Sequence, residues 1–226
     1  MDFKAGEIFA IDKPYRISSF GALAHVRYVL SRTLGYKVKI GHAGTLDPLA
    51  TGVLILCTGK ATKRIEEFQG QTKEYTATLQ LGATTASYDM EHEVNASFPT
   101  EHITRELIND TLPQFIGDIE QIPPTYSAVK VNGDRAYELR RAGEEVKLKP
   151  KHIHIDEIEV VDFDVEKMQL SLRVMCGKGT YIRALARDLG RALNSGAYLT
   201  ALRRTRVGDF TIDRCLDYEH IREWIE

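Results

Sequence analysis

Cysteine is scarce, long apolar runs are missing and neither sign of charge dominates in this 226-residue chain, and each shortage closes off a class of function. The three cysteines, Cys57, Cys176 and Cys215, are odd in number and lack metal-ligand spacing, which argues against a disulfide framework or a zinc site. No stretch approaches the length of a membrane span. Met1 to Asp12 mixes Asp2, Lys4, Glu7 and Asp12 into a short strand-like pattern, unlike a signal peptide. A reducing cytoplasm is the expected compartment, away from membranes. Thirty Lys and Arg against thirty-two Asp and Glu leave a formal net charge of −2, so any surface for a polyanion must be local.

What is present is an ordinary globular mixture, 43% hydrophobic and 27% charged, long enough to bury a substantial core. With no internal repeat and no low-complexity linker, a single domain spanning residues 1–226 is expected. Glu7 to Asp12 reads as a strand, and Ser18-Ser19 as the cap of a helix with Leu23, Val26, Val29, Leu30 and Leu34 on one face. Gly52 to Cys57 is nearly all apolar, the pattern of a strand covered on both faces. Glu74 to Leu81 alternates as a half-buried strand with Tyr75 inward. Thr100 to Phe115 has helical spacing, Leu170 to Cys176 alternates, Tyr181 to Leu193 is helical, and Leu199 to Val207 is a further strand. Helices interrupt strands without a regular βαβ rhythm, so the expected architecture is α+β with a mixed, largely antiparallel sheet flanked by helices.

Basic residues gather at Lys37/Lys39, Lys60/Lys63/Arg64, Arg203/Arg204/Arg206 and through Thr125 to Lys151. That last stretch mixes Tyr126, Lys130, Arg135, Tyr137, Arg140, Arg141, Lys147 and Lys149 with few large aliphatic residues, as a projecting excursion that grips an anionic partner would. The acids concentrate elsewhere, at Asp89 to Glu93, Asp156 to Glu166 and Asp217 to Glu226.

The most informative segment is Gly41-His42-Ala43-Gly44-Thr45-Leu46-Asp47-Pro48-Leu49-Ala50-Thr51-Gly52-Val53-Leu54. One carboxylate sits in a turn loosened by glycine and stiffened by proline, at the rim of a buried strand. A loop so constrained suits a nucleophile; an ordinary turn with a capping Asp is the bland alternative.

The whole segment resembles the signature of the TruB family of tRNA pseudouridine-55 synthases. Asp12-Lys13-Pro14 with Ser18-Ser19, Lys73-Glu74-Tyr75 with Leu81-Gly82, Gln121 through Lys130, Gly177 through Arg183 with Asp188-Leu189-Gly190, and Leu202-Arg203-Arg204-Thr205 are similar to further family motifs, in the family's order. Arg16 departs from the pattern, standing where the motif usually has Gly, and Ala43 replaces a commoner Thr.

The resemblance implies the pseudouridine synthase fold with a central active-site cleft, and isomerisation of a uridine in the T-loop of tRNA, position 55, on a flipped-out nucleotide. It implies Asp47 as nucleophile, Tyr75 stacked on the uracil with its hydroxyl near the sugar, and Arg183 as the cation that ionises and orients the aspartate. Tyr181 and Leu202 would complete the base pocket, and His42 would occupy space near the extruded nucleotide. Lys13 and Pro14 would support the Asp47 loop. Lys130, Arg140, Arg141, Lys147 and Lys149 are expected to contact the RNA backbone. No cofactor, metal or obligate protein partner is implied, and the tRNA T-arm is the partner. A C-terminal RNA-binding PUA domain, carried by many bacterial members, is not expected after the short segment Asp217 to Glu226. Three rivals are weighed. A non-catalytic RNA-binding or tRNA-chaperone module would not need Asp47, Tyr75 and Arg183 together. A phosphatase would need an acid where Leu49 stands. Glycoside hydrolysis would need a paired carboxylate, which sequence spacing leaves open.

Overall fold

The computed structural model describes every residue except Ala128, Asn132 and Glu226, and the backbone but not the side chains of Lys130, Val131, Arg135 and Arg141. The chain divides into two compact units: Met1–Thr76 with Leu202–Glu226, and Ala77–Ala201. No helix among the described residues is long and apolar enough to cross a membrane.

The first unit is built around the strand Ala50–Thr58. Strand Ile8–Lys13 runs antiparallel along one edge, pairing Ile8 with Cys57 through Lys13 with Gly52. Along the other edge Leu202 to Arg204 pair in parallel with Ala50 to Gly52, and strand Ile40–Ala43 pairs antiparallel with Ile55 to Thr58. Leu216–Asp217 adds a parallel edge beside Ile11 and Asp12. The sheet is therefore mixed, two of these strand pairings being antiparallel and two parallel.

Alternation along Ala50–Thr58 sends Leu54 and Leu56 into a cluster with Phe9, Ile11, Ala22, Leu23, Val26 and Leu30, while Val53, Ile55 and Cys57 meet Ala10, Ala43, Phe68 and Val207 on the opposite face. A strand covered on both faces needs apolar residues at every position, which is the pattern its sequence shows. The first cluster is closed by helix Ser19–Leu34, whose N-cap Ser18 accepts a hydrogen bond from the Gly21 N–H and which ends at Gly35 with φ 72°.

In the second unit, strand Gln169–Cys176 pairs antiparallel with Lys151–Asp164, which pairs antiparallel with Gly117–Gln121. Helix Ile182–Ala192 buries Ile182, Leu185, Ala186 and Leu189. The helix expected over Thr100 to Phe115 is shorter, Arg105–Thr111 followed by a 3-10 turn Leu112–Phe115. Thr104 caps its start by accepting from the Leu107 N–H, and Pro113 breaks the α-helical ladder at its end. The Thr125 to Lys151 stretch holds a two-stranded ribbon, Lys130–Val131 with Asp134–Arg135, and the short helix Ala136–Arg141.

Candidate active site

Asp47 lies in the turn between strands Ile40–Ala43 and Ala50–Thr58 and is partly exposed. Contacts from several elements hold this turn. Its own backbone closes by the Ala50 N–H donating to the Asp47 carbonyl at 3.0 Å. Ser19, next to the helix cap, accepts from the Leu46 N–H at 2.8 Å and donates to the Leu46 carbonyl at 2.9 Å. The two adjacent serines thus do different work: Ser18 starts the helix, and Ser19 fastens the helix to the turn. Both groups of Leu46 are buried, so these bonds satisfy backbone that water cannot reach.

Lys13 and Arg204 supply two further clamps, and each is fully buried. The Lys13 ammonium donates to the carbonyls of Ile17 at 2.6 Å, Pro14 at 2.8 Å and Pro48 at 3.4 Å, which joins the strand Ile8–Lys13 to the residue after Asp47. Burial pushes its pKa down to about 8, with the Asp47 charge opposing that shift and Arg204 adding to it. Arg204 donates through Nε to the Val53 carbonyl at 2.8 Å and through a terminal nitrogen to the Gly44 carbonyl at 3.0 Å, spanning the two ends of the turn. Gly52 has φ 104°, and a β-carbon there would lie 2.1 Å from the Arg204 carbonyl oxygen, so only glycine lets the strand carrying Leu202 pair in this register.

His42 is on a strand, opposite Leu56, rather than in the loop. Its Nδ1 is buried without a hydrogen-bond partner, and burial followed by the Arg204 charge lowers its pKa, so the neutral ring is favoured. Tyr75 is buried on strand Lys73–Leu81, facing inward as its alternation predicts. Leu202 is half-buried, with its Cα in register with Ala50. Asp47, His42, Tyr75 and Leu202 therefore all belong to the first unit.

Arg183 and Tyr181 belong to the second. Arg183 is buried at the start of helix Ile182–Ala192, so its guanidinium is withdrawn from solvent. It donates to the carbonyls of Ser87 at 3.1 Å and Tyr126 at 2.9 Å, and its Nε lies 3.7 Å from Oδ2 of Asp89. Asp89 is itself buried, and its Oδ1 accepts from the Ser87 hydroxyl and from the Glu91 N–H. Tyr181 is held at the backbone by Gln121, whose Oε1 accepts the Tyr181 N–H at 2.9 Å and whose Nε2 donates to the Tyr181 carbonyl at 3.2 Å.

Of the basic residues expected at the RNA backbone, Lys147 and Lys149 are exposed, and Arg140 is half-buried with a 3.5 Å contact from its guanidinium to the Glu144 carbonyl. The side chains of Lys130 and Arg141 lie outside the described residues. Sequence reasoning missed Asp89, which it counted within an acidic cluster, and gave no separate role to Arg204 or Gln121. Groups of His, Cys, Asp and Glu able to hold a metal ion are absent among the described residues.

Residues 31–182 match the model of the TruB family pseudouridylate synthase (N terminal domain), and residues 183–226 match that of the tRNA pseudouridylate synthase B C-terminal domain. The chain is 62% identical over 229 residues to tRNA pseudouridine synthase B of Bacteroides thetaiotaomicron, covering 100% of this chain and 95% of that one. Identity to the protein of the same name from Flavobacterium johnsoniae is 48%, over 100% of this chain and 98% of the relative. Among solved structures, a chain of a Cbf5-Nop10-Gar1 complex superposes with a TM-score of 0.72 at 28% identity, and one from an H/ACA RNP bound to a substrate RNA containing 2′-deoxyuridine with 0.69 at 25%. Each superposition covers 99% of this chain, which spans 56% and 54% of those two chains.

Proposed function

Because the chain belongs to the TruB family, we infer that it isomerises uridine to pseudouridine in tRNA. The observation that carries this reading is the Asp47 turn, in which the backbone on both sides of a single acidic residue is held by buried Ser19, Lys13 and Arg204. A carboxylate carried on so firmly fixed a backbone loses little further main-chain freedom on meeting a substrate, which is what positioning for nucleophilic attack requires.

The reaction breaks the bond from N1 to C1′, turns the base and joins C5 to C1′; C5 gives up a hydrogen and N1 gains one, so no oxidant is consumed. Asp47 is assigned as nucleophile, toward C6 of the base or C1′ of the ribose. Arg183 is assigned to favour its ionised form, Tyr75 to stack on the uracil, Tyr181 and Leu202 to line the base pocket, and His42 to occupy space beside the extruded nucleotide. The T-arm is the recognised element and position 55 the target, with Lys130, Arg140, Arg141, Lys147 and Lys149 on phosphates, no cofactor required, and the cytoplasm as the site of action. The buried setting of Arg183 and Asp89 supports an electrostatic rather than a solvated role for that arginine.

Incubation with an unmodified tRNA transcript, followed by site-resolved detection of pseudouridine, tests the reading. One product in the T-loop is expected, with Asp47→Asn inactive but binding RNA within a few-fold of wild type. Turnover by Asp47→Asn near the wild-type rate would overturn the assignment, and wild type that binds but never converts uridine would return the non-catalytic reading.

A further inference from the structure

Helix Ser19–Leu34 buries Ala22, Leu23, Val26 and Leu30 and contains no Asp or Glu. Its outer face carries Phe20, 65% exposed, Ala24, Arg27, Tyr28, 61% exposed, and Arg32, at spacings of three and four that align them along the helix. Tyr15 and Arg16, just before the helix, are also exposed. Guanidinium and ring alternate: Arg16 lies 5.4 Å from the Tyr15 ring centre, and Arg32 lies 6.0 Å from that of Tyr28, with a hydrogen bond to its hydroxyl at 3.3 Å. Among the described residues, none of Arg16, Arg27 and Arg32 pairs with a carboxylate. Exposed rings interleaved with unneutralised guanidinium groups match what RNA offers, phosphates together with the π-faces of unpaired bases.

Arg16 is the most telling member. Its φ is 65°, in the region that favours glycine, and glycine is what the family motif usually has at this position. An arginine kept in a strained conformation points to a task for its side chain. Its backbone N–H donates to the Pro48 carbonyl at 2.8 Å, which fixes it beside the residue that follows Asp47.

We propose that Arg16 holds a phosphodiester of the substrate RNA flanking the target nucleotide, and that the face formed by Phe20, Arg27, Tyr28 and Arg32 extends this contact by stacking and charge. The inference rests on the RNA-modifying reading above. Arg16→Gly keeps the N–H bonded to Pro48 and relieves the strain, so its melting temperature is expected at or above wild type. Its Kd for the tRNA transcript, measured by fluorescence anisotropy across a salt series, is expected to rise at least threefold, with the log-log salt slope smaller by about 0.7–0.9. Tyr28→Ala and Phe20→Ala should each weaken binding by about fivefold or more. The defect of Arg16→Gly should appear in kcat/KM for the transcript, in step with the loss of affinity.

A wild-type Kd and salt slope for Arg16→Gly would overturn the proposal, as would a lower turnover rate at unchanged Kd, which would make Arg16 a shaper of the turn. If wild type forms no pseudouridine while Arg16→Gly still binds weakly with a reduced slope, the contact stands and the enzymatic reading fails. If wild type is active and Arg16→Gly binds normally, the contact alone fails.

Discussion

Replacing Ser19 by alanine removes both hydrogen bonds to Leu46, and the structure sets what that costs. Ser19 is 2% exposed and Leu46 3%, so water cannot take over either backbone group. A buried donor or acceptor left unsatisfied costs about 1–3 kcal/mol; the orphaned N–H loses its bond outright, whereas the carbonyl lone pairs are easier to leave under-used, so the sum is about 2–4 kcal/mol. For a chain of this size that lowers the melting temperature by roughly 5–15 °C. Ser18→Ala is the control, since it removes only the cap to the Gly21 N–H and should cost about 1 kcal/mol. Thermal and urea unfolding of the two variants, with single-turnover pseudouridine formation, separates the roles. Ser19→Ala should lose about tenfold or more in rate because the Asp47 turn is loosened, while Ser18→Ala keeps its rate. Equal destabilisation and equal rates in the two variants would refute the clamp.

Asp89→Asn should remove a buried countercharge from the Arg183 guanidinium, destabilising the protein by up to about 3–5 kcal/mol and slowing turnover, as urea unfolding and single-turnover kinetics would reveal. A stable variant with a normal rate would show that Asp89 is not needed to hold Arg183. Gly52→Ala should fail to fold or lose at least about 3 kcal/mol, because its β-carbon meets the Arg204 carbonyl at φ 104°, and circular dichroism during thermal unfolding would register this. For Lys13, whose folded pKa is about 8 against an ordinary 10.5, the native state sheds its proton first as pH rises. The unfolding free energy of wild type relative to Lys13→Met should therefore climb between about pH 8 and 10.5 and be level below that window; a falling difference would contradict the burial effect.

Much of the first unit was legible because its patterns are undisturbed. Ala50–Thr58 is apolar on both faces, and Ser18, Leu23, Val26 and Leu30 mark the cap and inner face of the helix, so local chemistry and packing agree. The longest strand of the second unit, Lys151–Asp164, went unread. Register shifts between Ile155 and Glu157 and between Val160 and Asp162 break its alternation, and its many acids and histidines suggest surface. Asp89 shows a second limit: within a run of acids nothing in the sequence says which one is buried, since burial here follows from the distant Arg183. Asp47, Tyr75 and Arg183 stood out through resemblance, whereas Arg204 becomes informative only once its guanidinium is seen spanning Gly44 and Val53.

The parallel register of Leu202 to Arg204 on Ala50 to Gly52 also sets a timetable for synthesis. The first unit is discontinuous, its two parts separated in the chain by all of Ala77–Ala201. A ribosome therefore releases the Asp47 turn long before the strand that locks it, and closure over so long an intervening segment is entropically costly and slow. Until Arg204 arrives, the carbonyls of Gly44 and Val53 lack their guanidinium and Val53 and Ile55 lack the cover of Val207, leaving the nascent chain open to aggregation or chaperone capture. A nascent chain stalled before Leu202 would thus carry every residue of the Asp47 turn and still lack its final shape.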